Sequence, residues 1–535
     1  MDNNISENKP IEEIKKEELK KIREFTTYDA VFAWFSYIAS YLFCLVFPVS
    51  VTPFGGMLFL ITLFLFAFIF LKIKGHKLPA ISSLAGVSAM VLSTSLVLSS
   101  NSFIHFFAYI YCLGAFCYFI YTAMGNTNKK GFSNYLIADW AEAMFISPFS
   151  SLKKPQMVHA MFSGKRKGSL NVIKKLGIGL GIAVVPTTIA FALLSYDERF
   201  TSLAGNIFNF EEIDIFTHIF CFLCAIPLGM FMFSLYLSSD EKKVSGNFSE
   251  EKMEKFDGKM KMASLITVLA AVVPLLAVYV LFFVSQRQYY VSAFTGVLPQ
   301  NFSYAEYARE GFFQLCAVSV INLVIIALVI LFTKKSKASS VMLKFLTVIF
   351  SVFTLVLIST AIAKLVMYIN IYGLTQKRFY AAWFMFVLAL VFIAVAISRF
   401  VPKISILAVS SAVLVASFTV LALCNADRMI AKYNVDRYIN GTISTVDVMA
   451  MEELGDAATP ELIKLAEYMD KEKGADIIKN AKRGYFSFDE NMEGNLINIL
   501  SGKKDAMENS EKGLFSFTLN SIMAEKAMKE AEIIK

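Results

Sequence analysis

Long apolar runs separated by short charged stretches set the pattern of this chain. Eleven runs, at about 29–47, 54–71, 79–98, 103–123, 176–195, 214–237, 262–285, 311–332, 341–369, 379–398 and 402–424, can each cross a membrane. Crossing takes about 20 helical residues. Lipid offers a backbone no hydrogen-bond partner, so the runs must be helices. The third run is the least apolar: it holds six Ser or Thr and no aromatic residue. The pattern predicts an all-α fold, a polytopic transmembrane helix bundle of about 11 spans.

Composition agrees. Of 535 residues, 56% are hydrophobic and only 18% charged, where a soluble chain carries about 25%. A disordered protein is excluded, and a soluble enzyme is not expected. Basic residues then orient the bundle. With the N-terminus inside, the inner segments hold 29 Lys and Arg and the outer loops five: Arg199, Arg287, Arg309, Lys377 and Arg378. That asymmetry follows the positive-inside rule and predicts a cytosolic N-terminus. An odd number of spans puts the C-terminal segment outside. The net charge of +8 is thereby read as topology, with the bilayer as partner and no nucleic acid. No secretory signal is expected, because the first 27 residues mix Lys with Glu.

Five regions follow. Residues 1–27 are a charged cytosolic lead, and 28–123 hold spans one to four. Residues 124–175 form an inner loop, 176–424 hold spans five to eleven, and 425–535 read as a small helical domain outside the membrane. Within the inner loop, Leu136, Trp140 and Met144 share one stripe, with Ile137, Ala141 and Phe145 beside it. This predicts a helix lying in the interface, Trp at headgroup depth. In the tail, Gly455 marks a helix end and Thr459–Pro460 a helix start. Leu462, Leu465, Ala466 and Met469 form an apolar face after it.

Candidate chemistry is sparse. The seven cysteines lie in spans or at span ends, and Cys221-Phe-Leu-Cys224 sits inside an apolar helix, which suits buried thiols. The four histidines share no helical spacing, so no metal, cofactor or catalytic set is predicted. Three consecutive spans carry a central proline: Pro186, Pro227 and Pro274. Each removes a backbone hydrogen bond, a device that transporters use to expose backbone groups and that membrane helices also tolerate as a simple kink.

The densest polar signal is at the outer ends of spans eight to ten. Glu306, Arg309 and Glu310 precede span eight. Lys364, Tyr368 and Tyr372 lie at the end of span nine, and Arg378 opens span ten. One side of a shared mouth would hold carboxylates and the other cations. A contact between Glu306 or Glu310 and Arg378 or Lys364 is expected.

The stretches YAEYAREGFFQL and YGLTxxRxYAAWF, with NVDRYI after the last span, resemble a bacterial multi-pass family of unknown function, the 4173 type, close to the 4153 type. The resemblance covers roughly residues 170–470. It implies an integral membrane protein with a helical bundle and no assigned activity. It also marks Gly311, Gly373, Thr375, Asp436 and Arg437 beside Glu306, Arg309, Tyr372 and Arg378, giving none of them a role. The bacterial plasma membrane is the expected location, and an envelope protein or a lipid the expected partner.

Three functions stay open. A transporter or flippase-like carrier fits the spans, the kinks and the charged mouth. A non-catalytic sensor or assembly protein fits the external tail and the lack of catalytic sets. A membrane-embedded transferase on lipid-linked substrates would use Glu306 or Glu310 as base, with Arg309 and Arg378 clamping a phosphate.

Overall fold

Helices account for every regular element among the described residues. The computed structural model describes residues 26–46, 52–127, 135–152, 215–241, 255, 258–285, 312–334, 336–401, 405–509 and 516–534. In order, the helices are α1 (Thr27–Cys44), α2 (Pro53–Ile73), α3 (Ala80–Ser93), α4 (Ser102–Ala123), α5 (Leu136–Ala141), α6 (Ile215–Asp240), α7 (Leu265–Ser285), α8 (Phe312–Phe332) and α9 (Lys337–Tyr372). They continue with α10 (Gln376–Ser398), α11 (Ile406–Leu423), α12 (Ala426–Ile439), α13 (Val448–Glu452), α14 (Thr459–Lys473), α15 (Ile477–Lys482), α16 (Met492–Asn509) and α17 (Leu519–Glu530).

Nine helices among the described residues are long and apolar enough to span a bilayer. Three of them, α7, α8 and α11, bury only 17%, 22% and 17% of their apolar windows against protein. Helices that apolar and that bare need lipid around them. The chain is an all-α polytopic membrane protein. The expected count of eleven is not confirmed among the described residues. The run at 176–195, with Pro186, lies outside the described residues. The first run is the 18-residue α1, which is not among the nine.

The chain divides into two compact units, one from residues 1–45 and 147–241, the other from 46–146 and 242–535. In the smaller unit, α1 begins with a capping box: Thr26 Oγ1 accepts from the Asp29 backbone N–H, and Asp29 Oδ2 accepts from the Thr26 N–H at 2.8 Å. The other Asp29 oxygen accepts from Tyr236 Oη at 2.8 Å. Phe32 stacks on the same Tyr236 ring at 4.3 Å, and Tyr41 hydrogen-bonds His218 at 2.7 Å. These contacts set α1 antiparallel to α6. Gly229 permits the close approach, since a Cβ there would collide with Tyr37. Pro227 lies two residues earlier, inside a continuous helix.

In the larger unit, α3 stops at Ser93, and a short turn, Ser95–Leu98, finishes that span. Ser93, Thr94 and Ser95 each donate a hydroxyl to the carbonyl three residues back at 2.7 Å. Such back-bonding competes with the helix ladder and bends it, so the Ser/Thr-rich run breaks where its hydroxyls cluster. The helix α9 is longer than the expected 341–369. A capping box of Ser336 and Ser339 starts it early, and its 36 residues reach about 54 Å, well beyond the hydrocarbon layer. Tyr279 of α7 donates to Asn322 of α8 at 2.6 Å, and Asn322 donates to Thr354 of α9 at 2.9 Å. Polar side chains joining spans in this way hold membrane helices together by about 1–2 kcal/mol at most. Pro274 lies in α7, which is continuous.

The inner-loop segment forms α5 and then a π-helical turn, Glu142–Ile146. Asp139 and Glu142 are buried, while Ile137 and Phe145 are exposed. Tyr121 of α4 donates to Glu142 at 2.9 Å, and Gly114 leaves room for the Trp140 ring. Asp139 and Glu142 face protein, Trp140 packs on α4, and Ile137 and Phe145 face outward.

The tail folds around an apolar core that includes Ile430, Val435, Met451, Leu462, Leu465, Ala466, Met469, Leu496 and Met528. A helix starts at Thr459, with Pro460 in its first turn. Leu374 and Phe379, from the bundle, pack against this core. The tail therefore sits on the end of the larger unit's spans.

Candidate functional site

The site is built from the end of α9. Carbonyls at the end of a helix run out of intrahelical partners, and in α9 the last such bond is from the Gly373 N–H to the Ile369 carbonyl at 2.9 Å. Gly373 ends it with φ +75° and ψ −177°, a conformation essentially reserved for glycine. Arg378, in the first turn of α10, reaches back. Its Nη1 donates to the carbonyls of Tyr372 at 3.1 Å and Gly373 at 2.6 Å. The guanidinium lies 4.0 Å from the centre of the Tyr368 ring, and that ring packs edge-on against Tyr372.

A second arginine arrives from α12. Arg437 donates to the carbonyls of Ile369 at 3.2 Å and Asn370 at 2.8 Å. Two cations thus meet the negative end of a 36-residue helix, where they are favourable. Between them, Asn434 pairs with Leu374 as a peptide would. Its Oδ1 accepts from the Leu374 N–H at 2.7 Å, and its Nδ2 donates to the Leu374 carbonyl at 2.7 Å. A Cβ on Gly373 would lie 2.6 Å from Asn434 Oδ1. The motifs around YGLT and NVDRYI therefore touch, and the contact is a clasp between bundle and tail.

A second polar node lies at the start of α12. Asn425, at φ +50°, turns the chain out of α11. Asp427 then accepts from Asn101 Nδ2 at 3.0 and 3.3 Å and from Gln376 Nε2 at 2.9 Å. Asn101 also caps α4, its Oδ1 accepting from the N–H groups of Phe103 and Ile104. Asp427 is only 2% exposed. Burial pushes its pKa above the ordinary carboxylate value, and the Asn101 and Gln376 hydrogen bonds offset part of that rise.

Between clasp and tail is a cleft of about 30 Å³, lined by Tyr372, Gly373, Thr375, Arg378, Asn434 and Asp447 among others. It has room for one or two ordered waters. Among the described residues, no three His, Cys, Asp or Glu side chains converge where a metal ion could sit.

The family model described as a domain of unknown function (DUF4153) matches residues 86–465. The chain belongs to that family. The match supports the 4153 type and not the 4173 type, and it begins well before residue 170. Both polar nodes fall inside the DUF4153 stretch, whose end lies within α14. Neither a curated protein nor a solved structure matches the chain.

The DUF4153 region gathers some of the expected residues and not others. Tyr368, Tyr372 and Arg378 come together. Lys364 is 7% exposed, so it faces protein rather than lipid or headgroups. Asp436 pairs with Lys464 at 2.6 Å on the surface, a contact of little energetic weight. Thr375 takes the cap position of α10 without a side-chain cap bond. Glu306, Arg309, Glu310 and Gly311 lie outside the described residues, and with them the expected contact to Arg378 or Lys364. Asn101, Gln376 and Asp427 were missed, their only signal an amide or acid near a span end, and Asn434, which opens the NVDRYI stretch, was not singled out.

Proposed function

We propose that this protein is a non-catalytic sensor or assembly protein of the bacterial plasma membrane, whose spans present the C-terminal helical module. One observation supports this over the carrier and transferase readings. Asn434 and Arg437 of α12 bond the Leu374 peptide and the carbonyls of Ile369 and Asn370 at the end of α9, so these two side chains join tail to bundle. The carrier remains the second reading, favoured by the buried Tyr279–Asn322–Thr354 chain inside the spans.

The test has two arms. Purified protein in phosphatidylglycerol-containing vesicles is expected to move a fluorescent phospholipid between leaflets no faster than protein-free vesicles. In cells, the pair Asn434→Ala and Arg437→Ala, at normal abundance, is expected to change sensitivity to envelope stress in the same direction as removing residues 425–535. Rapid lipid movement, or a clasp variant behaving as wild type, would sink the proposal.

We also propose a cytosolic N-terminus and an external tail. In the larger unit, Phe517 stacks on Phe54 at the start of α2, and Thr518 meets Ser100 before α4. The opposite span ends carry Lys72, Lys74, Lys77, Lys334, Lys337 and Arg399, the pattern of a cytosolic face. A surface-active reporter joined after Lys535 is expected to be active there. Activity of a cytosol-only reporter at the same position would reverse the orientation.

A further inference from the structure

The last helix shows an apolar face that the fold leaves uncovered, at a depth fixed by its neighbours. Three contacts place the start of α17 at the level of the span ends. The Phe517 ring stacks on Phe54, the second residue of α2, at 4.6 Å. Thr518, the N-cap of α17, meets Ser100 Oγ at 3.0 Å, just before α4. Asn520 exchanges hydrogen bonds with Asn425, just after α11, at 2.6 and 3.3 Å.

From there the two faces of the helix differ. Asn520, Ala524 and Met528 are buried in the tail. Leu519, Ile522, Lys526 and Lys529, at helical spacing on the other side, point away from it. Leu519 and Ile522 are 38% and 49% exposed. The lysines come one turn later and pair with Glu530 at 3.7 Å and Glu525 at 3.1 Å. The outward face is therefore apolar where it adjoins the span ends and charged further along.

We propose that α17 rests in the interfacial layer of the bilayer, with Leu519 and Ile522 covered by lipid and Lys526 and Lys529 among the headgroups. Water would leave the two aliphatic side chains uncovered beside a lipid surface already at hand. The order of polarity along the face matches that of the bilayer from acyl boundary to headgroup, with long basic side chains reaching outward. The helix lies beyond the stretch matched by the family, so the membership assigns it nothing. It would attach the tail to the bilayer itself, independently of the clasp, and the inference does not rest on the sensor or assembly reading.

The test places a photoreactive p-benzoylphenylalanine at 522 in the full-length protein. The protein is reconstituted in vesicles of phosphatidylcholine with a minority of phosphatidylglycerol, irradiated, and its peptides are weighed. The expected product is a phospholipid adduct on the peptide carrying position 522, several-fold more abundant than with the probe at 526. The 522 side chain is outward and half-exposed, so the probe should leave the melting temperature unchanged. A probe at 519 provides an independent repeat. Absence of lipid adduct at both 519 and 522 would overturn the proposal by showing a face in water. A crosslink to a second copy, read as a band of doubled mass, would overturn it in favour of self-association.

Discussion

Gly373→Ala is expected to loosen the tail from the bundle and to destabilise the protein by about 2–4 kcal/mol. Two costs combine. The backbone at φ +75° and ψ −177° strains any residue with a Cβ. The added methyl would also sit 2.6 Å from Asn434 Oδ1, pushing away the side chain that pairs with both polar groups of Leu374. A companion substitution separates the terms. Asn434→Ala removes the collision and the two hydrogen bonds but leaves residue 373 as glycine. In the double variant the collision is gone and only the backbone strain is added to the Asn434→Ala loss. The double variant should therefore be less damaged than the sum of the singles, as residues in contact require. The measurements are thermal unfolding of the purified protein and the rate at which protease releases the segment after α11. A Gly373→Ala protein as stable and as resistant as wild type would show that the clasp does not hold the tail.

The spans were legible because a run of apolar residues has one destination, whereas the joints between them were not. Arg378 could be singled out, but its partners are main-chain carbonyls, which every residue carries and no sequence pattern displays. A carboxylate from the loop before α8 was the natural expectation for a cation at a membrane edge. Among the described residues, the end of α9 supplies negative charge to Arg378, while the carboxylates before α8 lie outside them. The early start of α9 depends on Ser336 and Ser339, a pairing weaker than the Ser/Thr-to-Glu pattern that marks a helix start. The break after Ser93 was foreshadowed by the six hydroxyls of that run, although their number did not say where the helix would give way. Asn101 and Asp427 are 326 residues apart. Only a topology that returns α11 to the end where α4 begins brings them together.

That second node carries the other large expectation, and it is one of pH. Asp427 is buried and takes its hydrogen bonds from two neutral amides, Asn101 and Gln376, with its pKa raised by burial. In the unfolded chain the group returns to about 3.9. Between that value and the raised one, the folded protein binds more protons than the unfolded chain, so stability falls as pH rises through the interval. The cost of ionising Asp427 is fully present above its folded pKa and absent below its unfolded one. Asp427→Asn stays neutral throughout and should lack this contribution. The melting temperature of the variant minus that of wild type should therefore decline as the pH is lowered from neutral toward 4. Asp427→Ala serves as the contrast. It leaves the Asn101 and Gln376 amides without an acceptor, at about 1–3 kcal/mol for each buried donor, and so should fall below Asp427→Asn at every pH. A difference between Asp427→Asn and wild type that stays flat across the titration would mean that Asp427 is no harder to ionise in the folded protein than in the unfolded chain. In that case the amide hydrogen bonds fully offset its burial, and the node holds an ordinary carboxylate that adds no pH dependence to stability.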